Sequence, residues 1–263
     1  MDNLKKVGLT ALAGSLVVAG HVSAAEMSVS GSATMSYNGG DEDKTEGQGW
    51  TMGDSVTFSA SGDVNDIGVT YSVELDGDAA AGGGGVDNYS LAFDLGDAGS
   101  LTFAGHGGDG FMSANDDVMP TAHEEPWDVV TSAETQLING HSGNNMFNYK
   151  YSHESGLNLT VGYLNAADAV TDVSYTDYGV TYTGMEGLTI GYGQGDVEQT
   201  TNTKSDESTM FAKYAIGQVT VGIQMSEKDN ESGNDYETTG VGISYQVNDD
   251  LAVSYGSHIT EVD

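Results

Sequence analysis

The chain has 263 residues, no Cys, two Pro, 38 Gly and a formal net charge of −33. Without Cys there is neither a disulfide framework nor a thiolate metal site, and Gly without a three-residue period is not collagenous. Forty acidic groups face seven Lys and no Arg, which excludes nucleic acid as a partner, since phosphate backbones need clustered basic groups, and disfavours docking on anionic lipid headgroups.

Residues 1–24, "MDNLKKVGLTALAGSLVVAGHVSA", begin with Lys5 and Lys6, continue through an apolar middle and end on small residues at Val22-Ser23-Ala24. This pattern predicts a secretory signal peptide cleaved after Ala24, because the apolar run is too short to span a bilayer as an anchor. Residues 25–263 then form the exported domain.

Downstream, period-two segments recur. They begin near 26, 50, 66, 86, 99, 145, 156, 174, 186, 208, 217, 237 and 249, each about eight to twelve residues long. In "SVSGSATMSY" Val29, Ala33, Met35 and Tyr37 alternate with Ser30, Ser32, Thr34 and Ser36. In "GLTIGYGQGD" Leu188, Ile190 and Tyr192 alternate with Thr189, Gly191 and Gly193. Such alternation predicts strands with two chemically different faces.

The connections alternate too. Tight turns at "DVN", "GDAG", Glu154-Ser155, 184–186, 216–217 and 247–249 take turns with longer stretches at "NGGDEDKTEGQG", "GDAAAGGGG", about 106–144, 165–172, 195–207 and 227–236. An antiparallel meander with short turns at one end and long loops at the other produces this rhythm. A soluble sandwich has no reason to sort its loops by end and needs bulky core side chains. The predicted fold is therefore all-β, an antiparallel transmembrane β-barrel, whose strands face lipid outward and enclose a polar lumen.

Val29, Val56, Leu91, Phe103, Leu159, Val180, Ile190, Val221 and Ile243 would make the lipid band. Tyr37, Trp50, Tyr163, Tyr192 and Tyr255 would lie toward the long-loop rim, and Phe58, Phe93, Tyr182, Tyr214 and Tyr245 toward the short-turn rim. The small-residue face reads as a water-filled lumen of Ser, Thr, Gly, Asn and Gln that needs no dry core. Inward parity places Glu74, Asp94, Lys150, Asp177 and Lys213 on the pore wall.

With its start "AEMSVSGSATMSYNGG", its loop rhythm and its oversized third long loop, the chain resembles the general diffusion porins of Gram-negative outer membranes, and looks like the sixteen-strand trimeric type from alphaproteobacteria. The resemblance implies that the stretch from about His106 to Asn144 folds into the barrel and narrows the channel. Its Asp109, Asp116, Asp117, Glu124, Glu125 and Asp128 would then form the acidic side of the constriction. It also implies a location in the outer membrane, contact with outer-membrane lipid, a homotrimer, and passage of small hydrophilic solutes and inorganic ions.

Two features depart from that pattern. The family sets Arg and Lys opposite the loop acids, whereas Lys150 and Lys213 are the two candidates here. The family also ends on a strand with a terminal Phe, whereas this sequence ends "SYGSHITEVD". Bacterial single-chain barrels close with an even strand number, so the reading is a C-terminally incomplete barrel, with thirteen of sixteen strands present.

The six His are scattered without ligand spacing, so no metal site is expected. Acidic runs such as "DEDKTE" and "NDD" offer oxygens for weak calcium binding, though solvated charge is the preferred reading, and no other cofactor is called for. "GGDGF" and "GGGGVD" join no strand to a helix and so are not phosphate loops. No nucleophilic or acid–base set marks an enzyme. The alternatives carried forward are a substrate-selective outer-membrane channel and a non-conducting β-protein used for adhesion.

Overall fold

The computed structural model of the protein describes residues 26–38, 49–76, 85–121, 142–165, 173–199 and 203–263. The predicted signal peptide lies outside the described residues. In chain order the strands are β1 (Glu26–Asn38), β2 (Gly49–Val64), β3 (Ile67–Asp76), β4 (Asn88–Asp94), β5 (Ser100–His106), β6 (Gly108–Asp109), β7 (Ser142–Gly143) and β8 (Met146–Ser152). They continue as β9 (Leu157–Leu164), β10 (Val173–Tyr182), β11 (Leu188–Gln199), β12 (Thr203–Ile216), β13 (Val219–Asn230), β14 (Tyr236–Asn248) and β15 (Leu251–Val262). All but β6 and β7 join one 13-stranded sheet in sequence order, each strand antiparallel to the next.

Cross-strand register aligns like with like. Tyr71 stands opposite Leu91, Leu91 opposite Phe103, Phe103 opposite Phe147, and Phe147 opposite Tyr163. The Phe103 and Phe147 rings meet with centroids 4.9 Å apart. This face is exposed although apolar: Phe58, Val180, Ile190, Val221 and Ile243 are each exposed by about two-fifths of their surface. A single-residue slip would turn that whole set inward, so the register is firmly specified. The other face carries Ser, Thr, Gly, Asn and Gln, as the alternation predicts. In β10 Tyr175, Asp177 and Gly179 are buried while Thr176, Tyr178 and Val180 are exposed.

Tight turns close the strands at one end. Asn65 and Asp66 link β2 to β3 with φ of 52° and 65°, the mirror-image geometry that a two-residue hairpin requires and that Asn and Asp tolerate.

Three expectations need correction. The stretch 195–207 is not a long loop, because β11 and β12 pair out to Gln199 opposite Thr203. There Asp196, Glu198, Lys204 and Asp206 occupy the outward face, so the ladder continues past the apolar band with a charged exterior. For the same reason Tyr192 and Tyr255 fall nearer the short-turn ends of their strands than the long-loop ends. They mark the edge of the apolar band, not the end of the strand. The third correction is the small β6–β7 ladder, which the alternation did not signal.

A Lys on the outward face should be costly where lipid surrounds it. Ile223→Lys is expected to lower unfolding stability in bilayers by about 2–4 kcal/mol, and Ser244→Lys, on the inward face, by far less. Urea titration of the protein folded in liposomes measures both.

Candidate functional site

The third long connection leaves β5 at His106 and turns at once, with Gly107 at φ 66°. Its two legs are tied at the base by the β6–β7 pair, Gly108 opposite Gly143 and Asp109 opposite Ser142. The Asn148 amide of β8 donates to the Asp109 carbonyl. From there residues 110–121 run across the inward face of the sheet rather than away from it.

Small wall residues admit this segment. Phe111 lies where Cβ atoms would stand on Gly179 of β10 and Gly193 of β11. Pro120 occupies the corresponding space over Gly222 of β13 and Gly242 of β14. Here the glycines are not wetted, as the sequence reading held, but covered. Phe111, Met112, Met146, Leu164, Tyr175 and Phe211 form a compact apolar cluster between segment and wall, so a small dry core exists where none was expected.

Polar side chains fix the segment along its length. The Asp177 carboxylate, 0% exposed, accepts the Met112 amide at 2.8 Å and the Tyr175 hydroxyl at 3.2 Å. Gln224 of β13 accepts the Val118 amide at 3.0 Å and donates to the Asn115 and Asp116 carbonyls at 2.7 and 3.0 Å. Within the segment, the Ser113 hydroxyl accepts the Gly110 amide at 2.9 Å and Asn115 donates to the Phe111 carbonyl at 2.8 Å. A buried amide or carboxylate with backbone partners resists removal, because the alternative is an unsatisfied polar group.

The acids named from sequence divide accordingly. Asp109 and Asp117 are exposed on the segment and Asp116 is half-buried. Burial, with Asp117 alongside and Asp109 contributing less, pushes the Asp116 carboxyl up to about 6. Glu124, Glu125 and Asp128 lie outside the described residues. On the wall, Glu74 is half-buried on the inward face of β3, opposite Thr57 and Asn88. Asp94 sits at the end of β4 and accepts the Gly96 amide at 2.9 Å, a turn contact. Asp177 has the inward parity expected but is an anchor beneath the segment rather than a charge on open wall.

Lys150 is exposed on the inward face of β8. Lys213 is half-buried and lines a cavity of about 660 Å³ with Pro120, Thr121, Glu186 and Thr189. The sequence reading missed Phe111, Gln224 and the pair formed by Lys228 and Glu207, whose Nζ–Oε1 distance is 2.6 Å. Parity alone flags Gln224 and Lys228 as inward, but nothing in the sequence pairs either with its partner. Among the described residues no group of three or more His, Asp or Glu is placed to hold a metal ion.

The profile of the Gram-negative porin family matches residues 8–261. The chain belongs to this family. No curated protein matches it. Among solved structures, this porin is similar to OmpT, an outer membrane protein of Vibrio cholerae, at 14% identity over 94% of this chain and 79% of that one, with a TM-score of 0.65. It is similar to an anion-selective porin from Comamonas acidovorans at 17% identity over 90% and 80%, with a TM-score of 0.64. The OmpF of Salmonella typhi, in complex with daunomycin, follows at 14% identity over 89% and 79%, with a TM-score of 0.62. These likenesses show the fold. The porin is an outer-membrane channel protein and not an enzyme.

Filling the glycine cradle should dislodge the segment. Gly193→Val is expected to open residues 107–121 to protease in the folded, membrane-inserted protein. Val180→Leu, on the outward face of the neighbouring strand, should leave them protected.

Proposed function

We propose that this porin forms a water-filled pore for passive diffusion of small hydrophilic solutes and ions across the outer membrane, with a preference for cations. The segment seated on the inward face of the sheet supports the reading, because Asp109, Asp116 and Asp117 lie on it in a chain that has no Arg. Three Lys among the described residues face inward, and one of them, Lys228, is neutralised by Glu207. Fixed negative charge along a pore concentrates cations and repels anions. The similar fold described as anion-selective fits the view that charge, not topology, sets the sign.

Export through residues 1–24 and assembly as a homotrimer complete the proposal, the latter supported by the trimer form of the Vibrio cholerae OmpT that shares the fold. Glu124, Glu125 and Asp128 are proposed to extend the acidic side of the constriction, and any calcium bound by the acidic loops is weak. A general pore is favoured over a substrate-selective one because, of the inward strand aromatics, Tyr175 and Phe211 are buried beneath the segment and Tyr236 stands apart at the long-loop end of β14, so they do not line up as a track.

The reversal potential across a planar bilayer under a dilute potassium chloride gradient tests the sign. Cation preference is expected, weakening as salt shortens the Debye length from about 8 Å at physiological ionic strength to about 3 Å at 1 M. Anion preference would contradict the proposal.

Asp116 adds a pH dependence. Its carboxyl is raised to about 6, so it is neutral in acid and gains its charge as pH rises through that value. The neutral form suits the half-buried seat. Its contribution to holding the segment is complete below 3.8 and is lost as pH rises through about 6. Cation preference should therefore climb between about pH 5 and pH 7, and Asp116→Asn should flatten that step in the same bilayer measurement.

A further inference from the structure

On the far side of the wall from the crossing segment, the outward face of β11–β13 is apolar but not even. Register sets Ile190 opposite Ala212 and Ala212 opposite Ile223. In the next row Tyr192 stands opposite Met210 and Met210 opposite Met225. Ala212 is thus a methyl group where its neighbours carry long side chains. The result is a cavity of about 310 Å³ lined by Tyr192, Met210, Ala212, Ile223 and Met225, at the low end of the range for ligand pockets. It opens on the surface that lipid covers, so hydrocarbon fills it.

Toward the long-loop ends the outward face changes character in two steps. First come Tyr178, Gln194 and Ser208, side by side and neutral, the Tyr178 hydroxyl donating to Gln194 Oε1 at 2.7 Å. Acids follow. Asp196 stands opposite Asp206 and Asp206 opposite Asp229, while Glu227 stands opposite Glu237 and Glu237 opposite Glu261. All six are exposed. Like charges directly opposite one another in a ladder are destabilising. The outward Lys among the described residues of these strands, Lys204, is taken by Glu198 at 2.8 Å. A cation from outside the chain would relieve the repulsion.

Notch and acids are spaced as a lipid is. Ala212 and Asp206 are six residues apart on β12, about 20 Å of strand at about 3.3 Å per residue. At a tilt of about 40° this is about 15 Å of height, the hydrocarbon depth of one leaflet, half of about 30 Å. We propose that this face holds a lipid with an amine headgroup. The end of one acyl chain lies in the notch at Ala212, and the ammonium group reaches Asp206 and Asp229. An anionic headgroup would meet the same carboxylates with like charge. The site rests on the outward face meeting lipid, not on solute passage through the pore.

Native mass spectrometry of the folded full-chain porin provides the test. The protein is released from micelles holding equal amounts of phosphatidylethanolamine and phosphatidylglycerol with identical chains. The ethanolamine lipid should be retained about fivefold over the glycerol lipid, the worth of roughly one charge near an oppositely charged surface. Asp206→Asn combined with Asp229→Asn should bring the two to parity. Ala212→Phe, which fills the notch, should lower retention of both lipids and leave potassium conductance unchanged, so loss of the site is distinguished from loss of the pore.

Equal retention of the two lipids by the wild-type protein would overturn the proposal whatever the variants do. Retention undiminished in folded Ala212→Phe would overturn it as well. A preference for phosphatidylglycerol that appears on adding calcium would put a bridging metal ion in place of the amine and would also overturn it.

Discussion

Inside a bilayer no water completes the hydrogen bonds of the backbone, so each strand must pair its peptide groups with a neighbour. The 13-stranded antiparallel ladder meets that demand on both sides of every strand except β1 and β15, which are paired on one side among the described residues, and most of the architecture follows from it. Once strands are laid side by side, alternate residues belong to opposite faces. One face must be apolar because lipid touches it, and it is: the row from Tyr71 through Leu91, Phe103 and Phe147 to Tyr163 is continuous across five strands. The other face is released from that requirement and is free to be small, polar or charged.

That freedom is used in two ways on the two sides of the wall. Toward β10–β14 the inward positions include glycines, and the space they leave takes Phe111 and Pro120 from the crossing segment. Asp177 and Gln224 then hold the backbone of that segment by four hydrogen bonds, with the Met112 and Val118 amides and the Asn115 and Asp116 carbonyls, and Gln224 donates a further one to the Thr209 hydroxyl of β12. The last of these orients Gln224 from the wall. Toward β1–β4 the inward positions are hydroxylated and open. That side also carries the inward acids Asp63, Glu74 and Asp94, so the two sides of the wall differ chemically, without a basic cluster on either among the described residues.

The fold was legible because period-two alternation survives in a chain whose two faces meet different solvents. Where both faces meet water the signal fades, and so 195–207 read as a loop although Asp196, Glu198, Lys204 and Asp206 belong to paired strands. The facing of Asp177 and Lys213 was legible from parity, but parity says nothing about what covers a residue. Asp177 read as a wall charge because its partner, the Met112 amide, lies 65 residues away in sequence. Gln224 and Val118 are 106 apart. Contacts of that range leave no local pattern, and the cradle of Gly179 and Gly193 becomes meaningful only once Phe111 is seen in it.

Because the chain has no Cys, solvent contact can be read residue by residue. Single cysteines placed along β2, at Val56, Thr57, Phe58, Ser59, Ala60 and Ser61, can be exposed to a charged, membrane-impermeant thiol reagent in the folded, membrane-inserted protein. The account predicts alternation: positions 57, 59 and 61 react from a water-filled lumen, and positions 56, 58 and 60 are shielded by lipid. Uniform reactivity, or reaction at 56, 58 and 60 with protection at 57, 59 and 61, would contradict it.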